Sequence, residues 1–451
     1  MIELVCTGCG AKGGNAAPYA CPNSGHGDVD HVLSRRVAPG TSLEVFDDPN
    51  PFLRFRSRFF YSDLARGAGL DDAQVVEVAR GLDESIARVD GHGFRDTPVH
   101  VASELTEALG VPFEVILKDE TQNVSGSHKA RHLMGVALHL EIAERLKLRP
   151  ERGELAISSC GNAALGAAVV ARAANRDLRV FVPTWADAGV VEKLISLGAK
   201  VEPCERTGGA HGDPCTLRMR EVVRAGAVPF SCQGSDNGLA IEGGMTLGLE
   251  LATQAGILGK TLDRIFVQVG GGALLSSTIQ ALHEAKTLGM IDRLPRIHAV
   301  QAAGAAPLAR AHGRLLELLA DDEPDALDDA AHGRPIPAAI VDRILSKAAS
   351  HRSRLMWPWD DPSSIAHGIL DDETYDWLWI LRGMLETGGR PVTVSEELLL
   401  RANELGRRAT GIRACATGTS GLAGLIAHQD QIEAHETVAL LFTGRDRTEQ
   451  A

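Results

Sequence analysis

The stretch Arg264-Ile265-Phe266-Val267-Gln268-Val269-Gly270-Gly271-Gly272-Ala273-Leu274 decides the fold. Its first six residues are a nearly continuous apolar run, the mark of a strand buried on both faces. Three glycines then turn the chain into a helical pattern from about 274 to 287, and a second strand pattern, RIHAVQ, follows at 296–301. Strand, glycine turn, helix and strand make up the repeating unit of a parallel sheet.

The same alternation extends outward in both directions. Upstream lie the strand patterns FEVILK (113–118), ELAISS (154–159), LRVFVP (178–183) and AKVEPC (199–204). Between them fall helical runs at 128–146, after Gly161-Asn162, and at 188–198. Downstream, Ser395 with Glu396-Glu397 opens a helix over 395–408, and ETVALLFT (436–443) reads as a last strand. Residues 41 to 95 read as helical, with Asp71-Asp72 as a cap. Residues 302 to 360 carry an acidic stretch and the Pro-flanked MWPWDDP (356–362), and they read as a surface insertion, with a lid or subunit contact as the alternative. The expectation is an α/β protein with parallel-rich twisted sheets flanked by helices.

Composition limits the function classes. The chain has 451 residues, 44% hydrophobic and 23% charged, enough for two to three domains at roughly 150 residues each. Its net charge of −13 argues against nucleic acid as a partner. No run of 18 apolar residues points to a membrane helix, and the N-terminal residues lack a signal-peptide pattern. Of eight cysteines, Cys160, Cys204, Cys215, Cys232 and Cys415 are scattered, which fits reduced thiols in a cytoplasmic protein.

Three strand-to-helix junctions can hold anions. Glycines at 270–272 let backbone N–H groups approach a phosphate at a helix N-terminus, although a Gly triplet alone is often only a tight turn. Leu275 stands where a dinucleotide fingerprint would need its last glycine, and no Lys-Ser/Thr follows as in a P-loop. Ser158-Ser159-Cys160-Gly161-Asn162 offers hydroxyls and helix N–H groups to a carboxylate, or simply caps its helix. In Ser125-Gly126-Ser127-His128-Lys129-Ala130-Arg131 a lysine sits in the first turn of a helix behind small residues, where desolvation suits Schiff-base chemistry.

In this order, from about Thr97-Pro98 to Thr443-Gly444, these motifs resemble the pyridoxal-phosphate (PLP) enzymes of the tryptophan synthase β family, fold type II. Within that family the chain is most similar to threonine synthase-like proteins and serine/threonine dehydratases. The resemblance implies a two-lobed enzyme with the cofactor between the lobes. The larger lobe would comprise 36–129 and 241–451, and the smaller 130–240. Lys129 would form the internal aldimine, with His128 near the cofactor phosphate. Asn162 would bond the phenolic oxygen, and Ser159, Cys160, Gly161 and Asn162 would hold the substrate carboxylate. Gly270, Gly271, Gly272, Ala273 and Leu274 would cradle the phosphate, and Thr443 would face the pyridine nitrogen. Thr417–Gly421 and Ser364–Ile369 resemble further segments of the family's site.

A hydroxyl at the pyridine nitrogen leaves the ring a weak electron sink, which favours expelling a β leaving group over transamination. The expected function is therefore β-elimination or β-replacement on a small L-amino acid. A sulfur-nucleophile synthase and a retired, regulatory PLP fold are the alternatives. Threonine synthases usually carry Phe-Lys-Asp-Arg where this chain has His128-Lys129-Ala130-Arg131, a departure in the direction of the dehydratases. A homodimer is the family expectation.

Residues 1–35 read as a separate Cys-rich segment. Cys6-x-x-Cys9 with Cys21 looks like part of a zinc ribbon, since a C-x-x-C turn presents two thiolates to one ion. His26 is the nearest fourth ligand, with His31 behind it. Zinc there would be structural.

Overall fold

The computed structural model describes residues 2–15, 17–38, 44–148, 152–206 and 212–447. Its strands, in chain order, are β1 (Ile2–Cys6), β2 (Leu33–Val37), β3 (Val99–Val101), β4 (Glu114–Asp119), β5 (Leu155–Ser158), β6 (Leu178–Pro183), β7 (Lys200–Cys204), β8 (Val228–Pro229), β9 (Arg264–Gln268), β10 (Arg296–Ala302), β11 (Arg390–Val394) and β12 (Thr437–Phe442). The chain forms two compact units. One comprises Met1–Gly25, His31–Asp96 and Asn123–Thr246; the other comprises His26–Asp30, Thr97–Gln122 and Leu247–Ala451. This grouping places residues 31–96 with the 123–246 segment, whereas the sequence reading assigned 36–129 to the larger lobe.

The first unit holds a four-stranded parallel sheet in the order β7-β6-β5-β8 and the antiparallel pair β1-β2. Its central helix, Lys129–Arg145, is buried around almost its whole circumference, with Arg131, His132 and His139 enclosed among its apolar residues. The helix Asp72–Asp90 begins with a capping box, in which the Asp71 carboxylate accepts from the Gln74 N–H and the Gln74 side chain accepts from the Asp71 N–H. Of the expected helical stretch 41–95, residues 41–43 lie outside the described residues, and helix begins only at Pro51.

The second unit is built on a six-stranded sheet, β11-β10-β9-β12-β4-β3, parallel except for the edge strand β3. Successive side chains of a strand point to opposite faces. Along β12, Val438, Leu440 and Phe442 join one apolar cluster with the helices Ser103–Leu109, Glu396–Thr410 and Ser420–His428. Ala439 and Leu441 join the other, with the helices Ala273–Thr287 and Trp377–Thr387. Both faces of β12 are thus dry, and every residue of it is buried.

The reading of 302–360 as a surface insertion is corrected. The segment forms the helices Pro307–Asp322, Pro324–Ala331 and Ala338–Ala349. Leu308, Leu315, Leu319, Val341 and Ile344 are buried in the core of the second unit. Their helical spacing places one apolar stripe per helix inward, so the segment adds a layer of core.

Candidate active site

In the first unit, the lysine motif is set by backbone strain. Ser125 and Gly126 both take left-handed conformations, with φ of 57° and 69°. That is uncommon for a serine, whose N–H is held by the Asp90 carboxylate at 2.8 Å. The chain then enters the helix Lys129–Arg145 with Lys129 as its first residue. Lys129 is half-buried, its N–H points at Ser127 Oγ (3.4 Å), and its carbonyl accepts from the Cys232 thiol (3.8 Å). His128 is buried and packs edge-to-face on His132. His132 Nδ1 lies 2.8 Å from the Ala240 carbonyl, so Nδ1 carries the proton. Burial, with the Lys129 charge added, pushes the His132 imidazole down to about 3.

The helix Asn162–Ala173 packs on this motif through Gly166, where a Cβ would come 3.2 Å from the Ala130 nitrogen. The close approach brings the Ser159–Asn162 loop beside the lysine turn. Ser159, Cys160, Gly161 and Asn162 are all half-buried. Asn162 is the first helical residue, so the loop that was expected to hold a carboxylate leads into a helix N-terminus, and within it the Gly161 N–H donates to Ser159 Oγ at 3.4 Å.

In the second unit, the remaining expected segments lie together at the C-terminal ends of β9 and β12. These strands are neighbours, while the chain leaves β9 for β10 on the other side. Sheets of this kind bind ligands at such a switch point. Gly272 has φ of 96°, and a Cβ there would come 2.9 Å from Ile380 and Thr374. A Cβ on Gly270 would strike the Asp371 carboxylate at 2.4 Å. The loop therefore requires glycine at 270 and 272. Ala273 and Leu274 open the following helix and are buried.

The Gly271 N–H donates to Asp371 Oδ2 at 2.7 Å. A carboxylate is thus the stand-in anion on the glycine loop, and its oxygens stand for those of a phosphate. The donor set fits that group. Thr443 is buried, with its hydroxyl oxygen 2.6 Å from Gln268 Nε2 and its N–H on the Gly418 carbonyl (3.3 Å). Thr417 Oγ1 accepts from the Gly368 N–H at 3.0 Å, which joins the 417–421 and 364–369 segments. Asp371 and Gln268 escaped the sequence reading. Asp371 reaches the loop only through folding, and Gln268 reads as one polar residue in an apolar strand.

At the N-terminus, the thiols of Cys6, Cys9 and Cys21 gather with His31, all four ligand atoms within 4.8 Å of one another. His31, not His26, completes the set. The reason is register: Cys6 pairs with Leu33 across β1-β2, and the Thr7 N–H bonds the Val32 carbonyl, so residue 31 lies opposite the C-x-x-C turn. His26 is exposed and belongs to the segment His26–Asp30 of the second unit. Cys9 and Cys21 sulfurs stand 3.5 Å apart, and Cys6 Sγ lies 3.6 Å from His31 Nδ1. Tetrahedral zinc, with Zn–S of about 2.3 Å, would set such ligand pairs roughly 3.5–3.8 Å apart. Burial pushes the Cys21 thiol up to about 12.

A family model described as pyridoxal-phosphate dependent enzyme matches residues 92–444. A threonine synthase of Methanosarcina acetivorans is 26% identical over 352 residues, 77% of this chain and 74% of the relative. A biosynthetic L-threonine dehydratase of Corynebacterium glutamicum is 26% identical over 253 residues, 55% of this chain and 52% of the relative. Among solved structures, maize serine racemase has a TM-score of 0.57 at 19% identity, covering 83% of this chain and 94% of its own. Diaminopropionate ammonia lyase from Escherichia coli has a TM-score of 0.59 at 16% identity, covering 84% and 90%. These two likenesses show the fold.

Proposed function

Because the chain belongs to the pyridoxal-phosphate dependent enzyme family, we propose that it is a lyase eliminating or replacing a β substituent of a small L-amino acid. The observation that carries the reading is the glycine loop at the end of β9, already bonded to an anionic group and lying beside Thr443. The threonine synthase and threonine dehydratase relatives support the reaction class.

Gly270 to Leu274 hold the cofactor phosphate by backbone N–H groups. Lys129 is the amine that anchors the cofactor, and His128 lies next to it. Asn162 bonds the ring's oxygen substituent, while Ser159, Cys160 and Gly161 present hydroxyl, thiol and N–H groups to the substrate carboxylate. When bound, the cofactor takes up the electron pair left as the substrate Cα–H breaks. Lys129, freed when the substrate's amine takes its place on the cofactor, would receive that proton as a general base at Nζ. Thr443 offers a hydroxyl where other chemistries use a carboxylate, which keeps the electron demand low and favours departure of the β group. Ala130 stands where threonine synthases usually carry Asp, which favours a dehydratase-type substrate, serine or threonine.

Zinc at Cys6, Cys9, Cys21 and His31 is part of the same proposal, as a structural ion that closes the β1-β2 segment. A cytoplasmic homodimer completes it; among the described residues no helix is long and apolar enough to cross a membrane.

The test is the visible absorbance of the purified protein beside Lys129→Ala. A Schiff-base band in the first that is lost in the second, with ammonia and a 2-oxo acid released from serine or threonine, is the expected result. No band after adding pyridoxal phosphate sinks the proposal. Phosphate release from O-phosphohomoserine instead would move the substrate to that of the threonine synthases.

A further inference from the structure

The stretch between β1 and β2 carries three of the four metal ligands, and among its described residues there is no helix and no strand. What orders it is the convergence of Cys6, Cys9, Cys21 and His31, whose ligand atoms all lie within 4.8 Å of one another. An ion held there closes the stretch into loops and removes conformational freedom that the metal-free chain keeps.

Two residues before Cys21 stands Tyr19, which is buried and meets two helices. Its ring packs edge-on against His139 of the Lys129–Arg145 helix, with centroids 6.4 Å apart and planes at 88°. Its carbonyl accepts at 2.9 Å from the N–H of Gly238, the first residue of the helix Gly238–Ile257. Leu33, two residues after His31, closes on the same glycine. A Cβ on Gly238 would come 2.8 Å from the Leu33 Cβ and 2.9 Å from its carbonyl oxygen. The start of this second helix therefore takes its place from residues that flank two of the four ligands.

That helix in turn holds the lysine turn. The Ala240 carbonyl lies 2.8 Å from His132 Nδ1, and Thr246 Oγ1 accepts from Arg131 Nη1 at 3.1 Å. Arg131 and His132 follow Lys129 within one helical turn. A path of direct contacts thus runs from the ligand cluster to the lysine, and every residue on it belongs to the first unit.

We propose that the N-terminal metal site and the cofactor lysine are thermodynamically coupled, with Tyr19 as the positioning residue that joins them. The inference rests on the assignments of zinc to the thiol cluster and of the cofactor to Lys129. Zinc favours the ordered form of the ligand-bearing stretch, in which Tyr19 holds His139 and Gly238. The cofactor favours the same placing of the lysine helix, because it bonds to that helix's first residue. Two ligands that prefer one conformation strengthen each other by the same factor. The ion thus tunes cofactor affinity without touching the reacting atoms.

The experiment titrates the full-length protein with pyridoxal phosphate, followed by the Schiff-base band, in zinc-loaded and chelator-stripped form. Circular dichroism monitors folding. The expected result is an affinity about tenfold weaker without zinc, a coupling of ordinary size. Zinc affinity, read by competition with a chelator, should rise by the same factor when the cofactor is bound. Tyr19→Ala, which keeps all four ligands, should still bind zinc but lose most of this dependence. Equal cofactor affinities with and without zinc in folded wild type, or full coupling retained in Tyr19→Ala, overturn the proposal. A merely structural ion would lower the melting temperature on removal and leave the cofactor affinity in place. Should the stripped protein unfold, zinc-loaded Tyr19→Ala beside zinc-loaded wild type carries the test: severalfold weaker cofactor binding at full zinc occupancy is expected, and equal binding overturns it. Wild type that binds no zinc overturns the proposal as well. Wild type with no Schiff-base band after adding pyridoxal phosphate removes the cofactor assignment itself.

Discussion

Asp371 poses an electrostatic conflict at a single atom. Its carboxylate occupies the Gly271 N–H that the phosphate would use, at 2.7 Å. Two anions sharing one donor repel by several kcal/mol at short range and low effective dielectric. Either Asp371 swings away when phosphate arrives, or phosphate binding is weakened by its presence. Both routes give the same expectation: Asp371→Asn binds pyridoxal phosphate about tenfold more tightly, roughly 1.4 kcal/mol. Fluorescence titration of Asp371→Asn against wild type reads this directly, and equal affinities would mean that the carboxylate only braces the loop. At the N-terminus the discriminating residue is a histidine. His31→Ala should lower bound zinc and the melting temperature, while His26→Ala should leave both unchanged, as measured by metal analysis after dialysis against a weak chelator. Retention of zinc in His31→Ala together with loss in His26→Ala would contradict the placement of His31 beside the thiols.

Between elements, the crossing of the helices Lys129–Arg145 and Gly238–Ile257 is set by two glycines. A Cβ on Gly243 would come 2.4 Å from the Arg131 carbonyl, and one on Gly135 would come 2.8 Å from the Gly243 Cα. Neither obstacle is a flexible side-chain end, so the backbones must part. Gly243→Ala should cost about 1–3 kcal/mol as an overpacking change and displace the turn that carries Lys129. A lower melting temperature together with a weakened Schiff-base band is the expected pair of results; an unchanged band would show that the lysine turn is fixed independently of the crossing. Nothing in the local sequence marks the two glycines, because the contact that demands them joins positions 108 apart in chain order. The same distinction explains what was legible. Buried strands announce themselves by apolar runs, and β6 falls on the very residues of LRVFVP. The junction Gly270-Gly271-Gly272 was legible because glycine is what a close turn into a helix needs. The short edge strands β3 and β8, with three and two residues, carry too little pattern to read. His31 and Asp371 depend on register and on a loop's course, which no local window contains.

Across the whole molecule, buried histidines tie folding to acidity. His298 and His428 pack at a tilt of 49° with ring centroids 4.7 Å apart in the second unit, His298 stacking on Phe266 and lying beside Arg264. Burial, and then the neighbouring Arg264 charge, pushes His428 down to about 4, while burial and His428 hold His298 well below the usual imidazole range. In the unfolded chain both titrate near 6.5. The sign follows. Above pH 6.5 both states are neutral at these positions and stability does not depend on them. Between 6.5 and about 4 the unfolded chain binds protons that the folded chain refuses, so this stability is lost as pH falls. Glu242 works in the opposite sense: burial raises its carboxyl to about 7, and its contribution is lost as pH rises through that value. The total profile mixes both signs, so the informative comparison is a difference. His428→Asn removes one refused proton and the charge that holds His298 down. Its unfolding free energy, followed by urea melts, should run parallel to wild type above pH 7. It should then gain on wild type as pH drops from 6.5 to 4, with a slope of at least one proton's worth at the steepest point. Parallel curves over the whole range would mean that His428 is protonated as readily in the folded protein as in the unfolded one, and that the pair is not sealed from water.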